Sequence, residues 1–245
     1  MPGIGTIVNT LAVLAGSVIG MLAKKGLSEN LQNSLMKTLG IAIMFVGIGC
    51  TLQEMLVIGA DGRLSTNGTM LMIISLVIGT VAGELLKIED GLEHLGDRIK
   101  KWKVFRSADS RFTEGFVTSS LVICVGAMAI VGSLRDSLEG DPTMLFSKSI
   151  LDFMLTMIFA STLGVGVLCS AIPLAVYQGS ITLLSGVIGE YLTDSIISGM
   201  SLVGSVLIFG VGINLFFGKQ VKVGNMLPAL LVPVVYGIYQ ITIGA

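Results

Sequence analysis

Eight stretches of this chain are each long enough and apolar enough to cross a bilayer, and that repetition restricts the fold more than any short motif does. A helix rises 1.5 Å per residue, so about 20 apolar residues cover the hydrocarbon core. The stretches are residues 4–23, 38–58, 68–87, 115–134, 149–171, 174–192, 196–217 and 226–243. Backbone N–H and C=O groups in lipid must be satisfied within the protein, which favours helices for spans of this length. The expected fold is an all-α polytopic membrane protein, a single transmembrane domain over residues 1–245 with about eight helices. Segments five and six are separated only by a tight turn at Pro173, so a re-entrant pair is the alternative there. Charged residues make up 13% of the chain, against about 25% in soluble domains.

The flanking charges report orientation. No basic residue precedes the first apolar run, and Lys24 and Lys25 follow it. A cleaved signal peptide has the reverse order, so residues 4–23 are expected to stay in the protein. Twelve of the 15 basic residues fall in the loops after segments one, three and seven. By the positive-inside rule those loops are cytoplasmic and both termini face outward. The polar stretch 88–112 repeats Ile88, Leu92, Leu95, Ile99 and Trp102 at helical spacing. It reads as an amphipathic helix on the cytoplasmic membrane face, with Trp102 at headgroup level. Residues 26–37 look like a shorter version.

Several function classes find no support. The net charge of −1 gives no reason to expect a nucleic-acid partner. Cys50, Cys124 and Cys169 lie in separate apolar segments and His94 is the single histidine, a poor basis for a disulfide or a metal site. No HExxH, GxSxG or phosphate-binding loop occurs. Neither a cofactor nor an enzymatic activity is expected.

A small-residue pattern recurs late in three apolar segments: GSVIG at 16–20, GTVAG at 79–83 and SGVIG at 185–189. The last two run into Glu84 and Glu190. In the topology above the first and third copies point in opposite directions, so segments one to three and six to eight form a candidate inverted pair, as in many transporters. The first and second are parallel, so the repeat is only partly inverted. Superposing the first copy on the third aligns Asn9 with Gln178. Amides inside apolar helices need partners; these two are either structural glue or the lining of one polar pathway.

Between two long apolar segments lies GAMAIVGSLRDSLEGDPTMLFSKSILD, residues 126–152, which packs in Arg135, Asp136, Glu139, Asp141, Lys148 and Asp152. Glu139-Gly140-Asp141-Pro142 reads as a turn. Lys148 and Asp152 are four apart and share a helix face, and Arg135 and Asp136 reach them if the loop folds inward. Such a cluster suits an ion or charged solute. The plainer reading is an external loop with Lys148 snorkelling to the interface. Asn214 is the polar residue of segment seven. Pro228 and Pro233 predict a kinked or broken segment eight, of the kind that edges a cavity.

GTIVNTLAVLAGSVIG near the start, AIVGSLRDSLEGDPTMLFSKSILD in the centre and LGVGVLCSAIPLAVYQGSITLLS after it together resemble a family of uncharacterised bacterial inner-membrane proteins typified by YqgA and YdfK. That resemblance implies a polytopic protein of the bacterial cytoplasmic membrane and carries no functional residues with it. The expected function is a secondary transporter or channel-like permease for a small ion or polar solute. Its pathway candidates are Asp152, Asn9, Gln178, Arg135, Asp136, Lys148 and Asn214. The alternative is a non-transporting scaffold or sensor component acting through residues 88–112. The expected partners are the lipid bilayer, the solute and, through glycine faces, a second copy of the chain.

Overall fold

The computed structural model describes residues 3–24, 28–59, 62–102, 105, 111–125, 127–189 and 191–243; Glu190 and several basic loop residues counted above lie outside them. Among the described residues, six helical stretches are long and apolar enough to cross a membrane, or seven if one bent pair is a single span. Eight were expected, and two particulars account for the difference. Segment four is not one helix: α5 (Phe112–Cys124) and α6 (Ala127–Leu138) are bent by 59°. Segments five and six run together as one stretch of 45 residues, Thr143–Val187.

Within that stretch, α7 (Thr143–Leu163) leads through a 3-10 turn, Gly164–Ser170, into α8 (Ala171–Ile188). The chain reverses at this turn rather than at Pro173, which sits in the first turn of α8, where a missing N–H is harmless. Gly164 ends α7 at φ 81°, a conformation that glycine adopts without strain.

The chain forms two compact units. The first comprises Met1–Leu39, Asp90–Cys124 and Met128–Ile188. Here α1 (Ile4–Lys24) lies along α7 in the same direction, with Gly16 and Gly20 on the backbone carbonyls of Phe153 and Met157. A Cβ at either glycine would overlap those carbonyls. Thr6 meets Thr182 and Asn9 meets Gln178, so α8 runs antiparallel to α1. One apolar core of this unit joins Val13, Ile123, Ala171 and Leu174. Another joins Ile99, Phe112, Phe116 and Cys169.

That second core corrects part of the expectation for residues 88–112. The segment does form a helix, α4 (Ile88–Lys100), but its apolar stripe is divided. Ile99 is buried in protein, whereas Leu95 and Trp102 are exposed. Residues 29–37 do not form a separate short helix either; they open α2 (Glu29–Met55), one continuous helix.

The second unit comprises Gly40–Glu89, Val125–Ala127 and Gly189–Ala245. α2 packs antiparallel on α9 (Asp194–Phe217), Gly40 against Phe216 and Gly47 against Phe209. A short antiparallel hairpin, β1 (Leu56–Ile58) with β2 (Leu64–Thr66), leads to α3 (Thr69–Leu86). Gly79 and Gly83 of α3 rest on Ala229 and Asn225, in the expected broken last segment: α10 (Val223–Met226), a 3-10 turn Leu227–Leu230, and α11 (Leu231–Ile243). The first two glycine motifs therefore do the same job, admitting a neighbouring backbone. Gly186, in the third, has open space where a side chain would go.

Large apolar side chains cover the outside of the helices: Phe45 is 70% exposed, Leu85 79% and Leu183 86%. Water does not tolerate apolar surface on this scale in a monomer; lipid does.

Candidate functional site

The inward face of the first unit is polar where it should be apolar. Asn9 and Gln178 are both 0% exposed and Asp152 is 3% exposed. Asn9 Nδ2 donates to Asp152 Oδ2 at 2.9 Å and to Gln178 Oε1 at 3.3 Å. A carboxylate accepts only, so the contact with Asp152 fixes which end of the Asn9 amide is nitrogen. The glycine register of the sequence aligned Asn9 with Gln178; in space the two side chains touch.

Lys148 closes the other side of Asp152. It does not snorkel: at 6% exposure its ammonium donates to Asp152 Oδ2 and to the carbonyl of Ile123, the latter at 2.8 Å. The reason lies in the break between α5 and α6. In an unbroken helix the Ile123 carbonyl would accept from the N–H four residues on. The break leaves it orphaned at a helix C-terminus, where a cation is favoured by both charge and hydrogen bonding.

Asp136 joins the cluster from α6. It is 0% exposed, and its Oδ2 accepts from the Gly5 N–H in the first turn of α1 at 2.9 Å. An anion at a helix N-terminus gains from the aligned peptide dipoles. Beside it, Ser137 donates to the Thr182 carbonyl at 3.0 Å and lies 2.8 Å from Ser185 Oγ. The Thr6 and Thr182 hydroxyls are 3.4 Å apart.

Three polar atoms of this cluster are buried without a partner among the described residues: Asn9 Oδ1, Asp136 Oδ1 and Gln178 Nε2. Each such group costs about 1–3 kcal/mol. Two of them, an acceptor and a donor, sit on the touching side chains of Asn9 and Gln178, and the third, an acceptor, is on Asp136, which meets α1 at Gly5 one turn before Asn9.

Two expected members are elsewhere. Arg135 points away from the cluster, its side chain half exposed and 3.9 Å from Glu139. Neighbours on a helix are about 100° apart, so Asp136 and Arg135 could not both face inward. Asn214 belongs to the second unit, where it ties down the turn after α9 by accepting from Gln220 and Val221 and donating to Val221.

The second unit holds polar features outside the expected pathway candidates. Glu89, 5% exposed, accepts from the Gly224 N–H at 3.0 Å and pairs with Lys219 at 2.7 Å. In return Asn225 Oδ1 accepts from the Glu89 N–H at 2.7 Å. Glu84 pairs with Lys222 at 3.1 Å. A cavity of about 750 Å³ is lined in part by Glu54, Asn67, Ser198, Tyr236 and Gln240, with Ser198 donating to Glu54. Tyr236 and Gln240 belong to α11, the broken segment expected to edge a cavity.

Long apolar helices with exposed aliphatic faces, closed around a buried ionisable cluster, define a polytopic helical membrane protein. The chain belongs to the family described as "Protein of unknown function (DUF554)", whose model matches residues 4–238. It is 33% identical over 229 residues to the "Uncharacterized membrane protein YdfK" of Bacillus subtilis (strain 168), covering 94% of this chain and 93% of that one. It is 30% identical over 233 residues to the "Uncharacterized protein YqgA" of Escherichia coli (strain K12), covering 93% of each. No solved structure matches.

Proposed function

We propose that this protein is a secondary transporter or channel-like permease for a small ion or polar solute in the bacterial cytoplasmic membrane, and not an enzyme. One observation carries the reading: Asn9, Asp152 and Gln178, from α1, α7 and α8, meet at a fully buried point with open hydrogen-bonding atoms. Ionisable groups buried among apolar helices are expensive and commonly mark a substrate or ion path. The broken α5–α6 pair, with its free carbonyl held by a cation, adds support, since interrupted helices build binding sites in transporters. On this reading the partly inverted glycine repeat relates two halves that exchange access, and both termini face outward.

The test is ion and solute flux in proteoliposomes, comparing wild type with Asp152→Asn and Asn9→Ala. The reading expects wild-type flux that falls at least tenfold in Asp152→Asn. Flux indifferent to both changes would remove the cluster from the path. The exposed Leu95 on α4 and Trp102 just after it favour a second reading, a scaffold or sensor acting through that segment. Loss of function in the organism on replacing Leu95 and Trp102 with serine, with no flux in any liposome assay, would favour it.

A further inference from the structure

The buried cluster holds one more carboxylate than its cation neutralises. Lys148 and Asp152 form an ion pair with side-chain exposures of 8% and 4%, which makes the pair neutral. Asp136 is left over. Its Oδ2 has the Gly5 N–H, and its Oδ1 has no partner among the described residues.

Among the described residues the surroundings of Asp136 offer no compensating cation. α1 presents the backbone of Gly5 and carries no ionisable side chain before Lys24 at its far end. α7 brings Leu145 against Gly5 and Gly132; its Lys148 is already committed to Asp152 and to Ile123. α8 contributes the hydroxyls of Thr182 and Ser185 and has Tyr177 as its sole titratable side chain. On α6 itself, Arg135 and Glu139 face outward and pair with each other. Among the described residues no cation lies within ion-pair reach of Asp136. The positive end of the α1 dipole, roughly half a charge, offsets only part of a full negative charge. Buried charges without a partner take up a proton or bind a counter-ion.

We propose that Asp136 is the seat of a single monovalent positive charge, a proton or an alkali cation, and that this is the ion the permease couples to. The assignment falls on Asp136 rather than Asp152, because Lys148 already neutralises Asp152. The charge adds at Asp136 Oδ1, with the open Asn9 Oδ1 as the second acceptor; Gly5 and Asn9 share one face of α1 a single turn apart. A bound proton makes Asp136 a neutral carboxylic acid whose O–H becomes a donor for that acceptor. An alkali cation accepts oxygen lone pairs from the same two atoms. A divalent ion is not accommodated, since a single net negative charge would be overturned beside Lys148 and the Gln178 amide donor. The coupling role rests on the permease reading; the binding does not.

The experiment reads binding directly. Purified full-length protein in lipid nanodiscs is held in N-methylglucamine buffer. Infrared difference spectra are taken against pH, and thermal unfolding is followed against added sodium or potassium at constant ionic strength. A proton at the site gives a carboxylic-acid band resistant to deuterium exchange, absent in D136N and retained in E139Q. An alkali ion gives a saturable rise in unfolding temperature, its apparent affinity at least tenfold weaker in D136N and unchanged in E139Q, a change at an exposed carboxylate outside the cluster. D136N keeps the oxygen that accepts from Gly5; should it fail to fold, D136E retains the charge, displaces the oxygen and must shift the same response. Wild type showing neither response, or either response surviving in D136N, overturns the proposal. Binding at Asp136 without flux would remove the permease and leave the site. Flux without binding at Asp136 would do the reverse.

Discussion

The ammonium of Lys148 lies 2.8 Å from the carbonyl of Ile123, so one buried side chain both completes the end of a broken helix and neutralises Asp152. Replacing it with an apolar residue of similar length strands a carboxylate and a carbonyl together. Breaking one side of a buried pair costs about 3–5 kcal/mol. K148M should therefore unfold at markedly lower denaturant than wild type in a graded detergent assay. K148M/D152L, which removes both charges, should recover part of the loss. A double variant no better than K148M would show that the pair is not the unit that matters.

Gly20 faces the carbonyl of Met157 and a Cβ there would overlap it, whereas Gly186 has nothing within 4 Å. G20V should force α1 off α7 and lower the yield of monodisperse protein by size-exclusion chromatography severalfold. G186V, the same change in the third motif, should be indistinguishable from wild type. Equal tolerance at both positions would contradict the close packing of α1.

Glu89 and Asn225 cap each other's helices, each side chain accepting the other element's backbone N–H. Losing a cap costs about 0.5–2 kcal/mol. E89A and N225A should each destabilise by about 1–2 kcal/mol, and the double variant by less than their sum. Additive losses would mean the two caps act independently.

Asp141, partly exposed in the turn before α7, accepts from the Thr143 N–H at 3.0 Å. Hydrogen bonds from Thr143 hold its carboxyl below the ordinary value of 3.8. A depressed folded-state value means stability that is present above the unfolded value and lost as pH falls through the folded one. D141A should thus be slightly less stable than wild type at pH 7, with the difference fading as pH falls below the ordinary value of 3.8. A difference that persists in acid would assign the effect to the turn backbone instead.

How much of this was legible beforehand depended on how local the cause was. Lys148 and Asp152 are four residues apart, and helical spacing alone places them on one face. Asn9 and Gln178 were linked by the glycine register, a pattern carried in the sequence. Arg135 was misplaced because a short ionisable run was treated as one unit, although adjacent helical residues diverge. The interruption of α5 was not visible at all. Its composition stays apolar, and what sustains the break is a side chain 25 residues downstream of Ile123. The mutual capping of Glu89 and Gly224 spans 135 residues and leaves no local trace.

The bond between Asn9 and Asp152 joins residues 143 positions apart, and this fixes an order of events during synthesis. Chains grow at about 5–20 residues per second, so α1 enters the bilayer roughly 7–30 s before α7 and α8 exist. For that interval its buried amide and its glycine stripe have no permanent companion. The newborn helix must be sheltered by the insertion machinery or wait among lipids as a loosely held hairpin with α2. Any change that hastens its departure from that shelter would act on yield without altering the finished molecule.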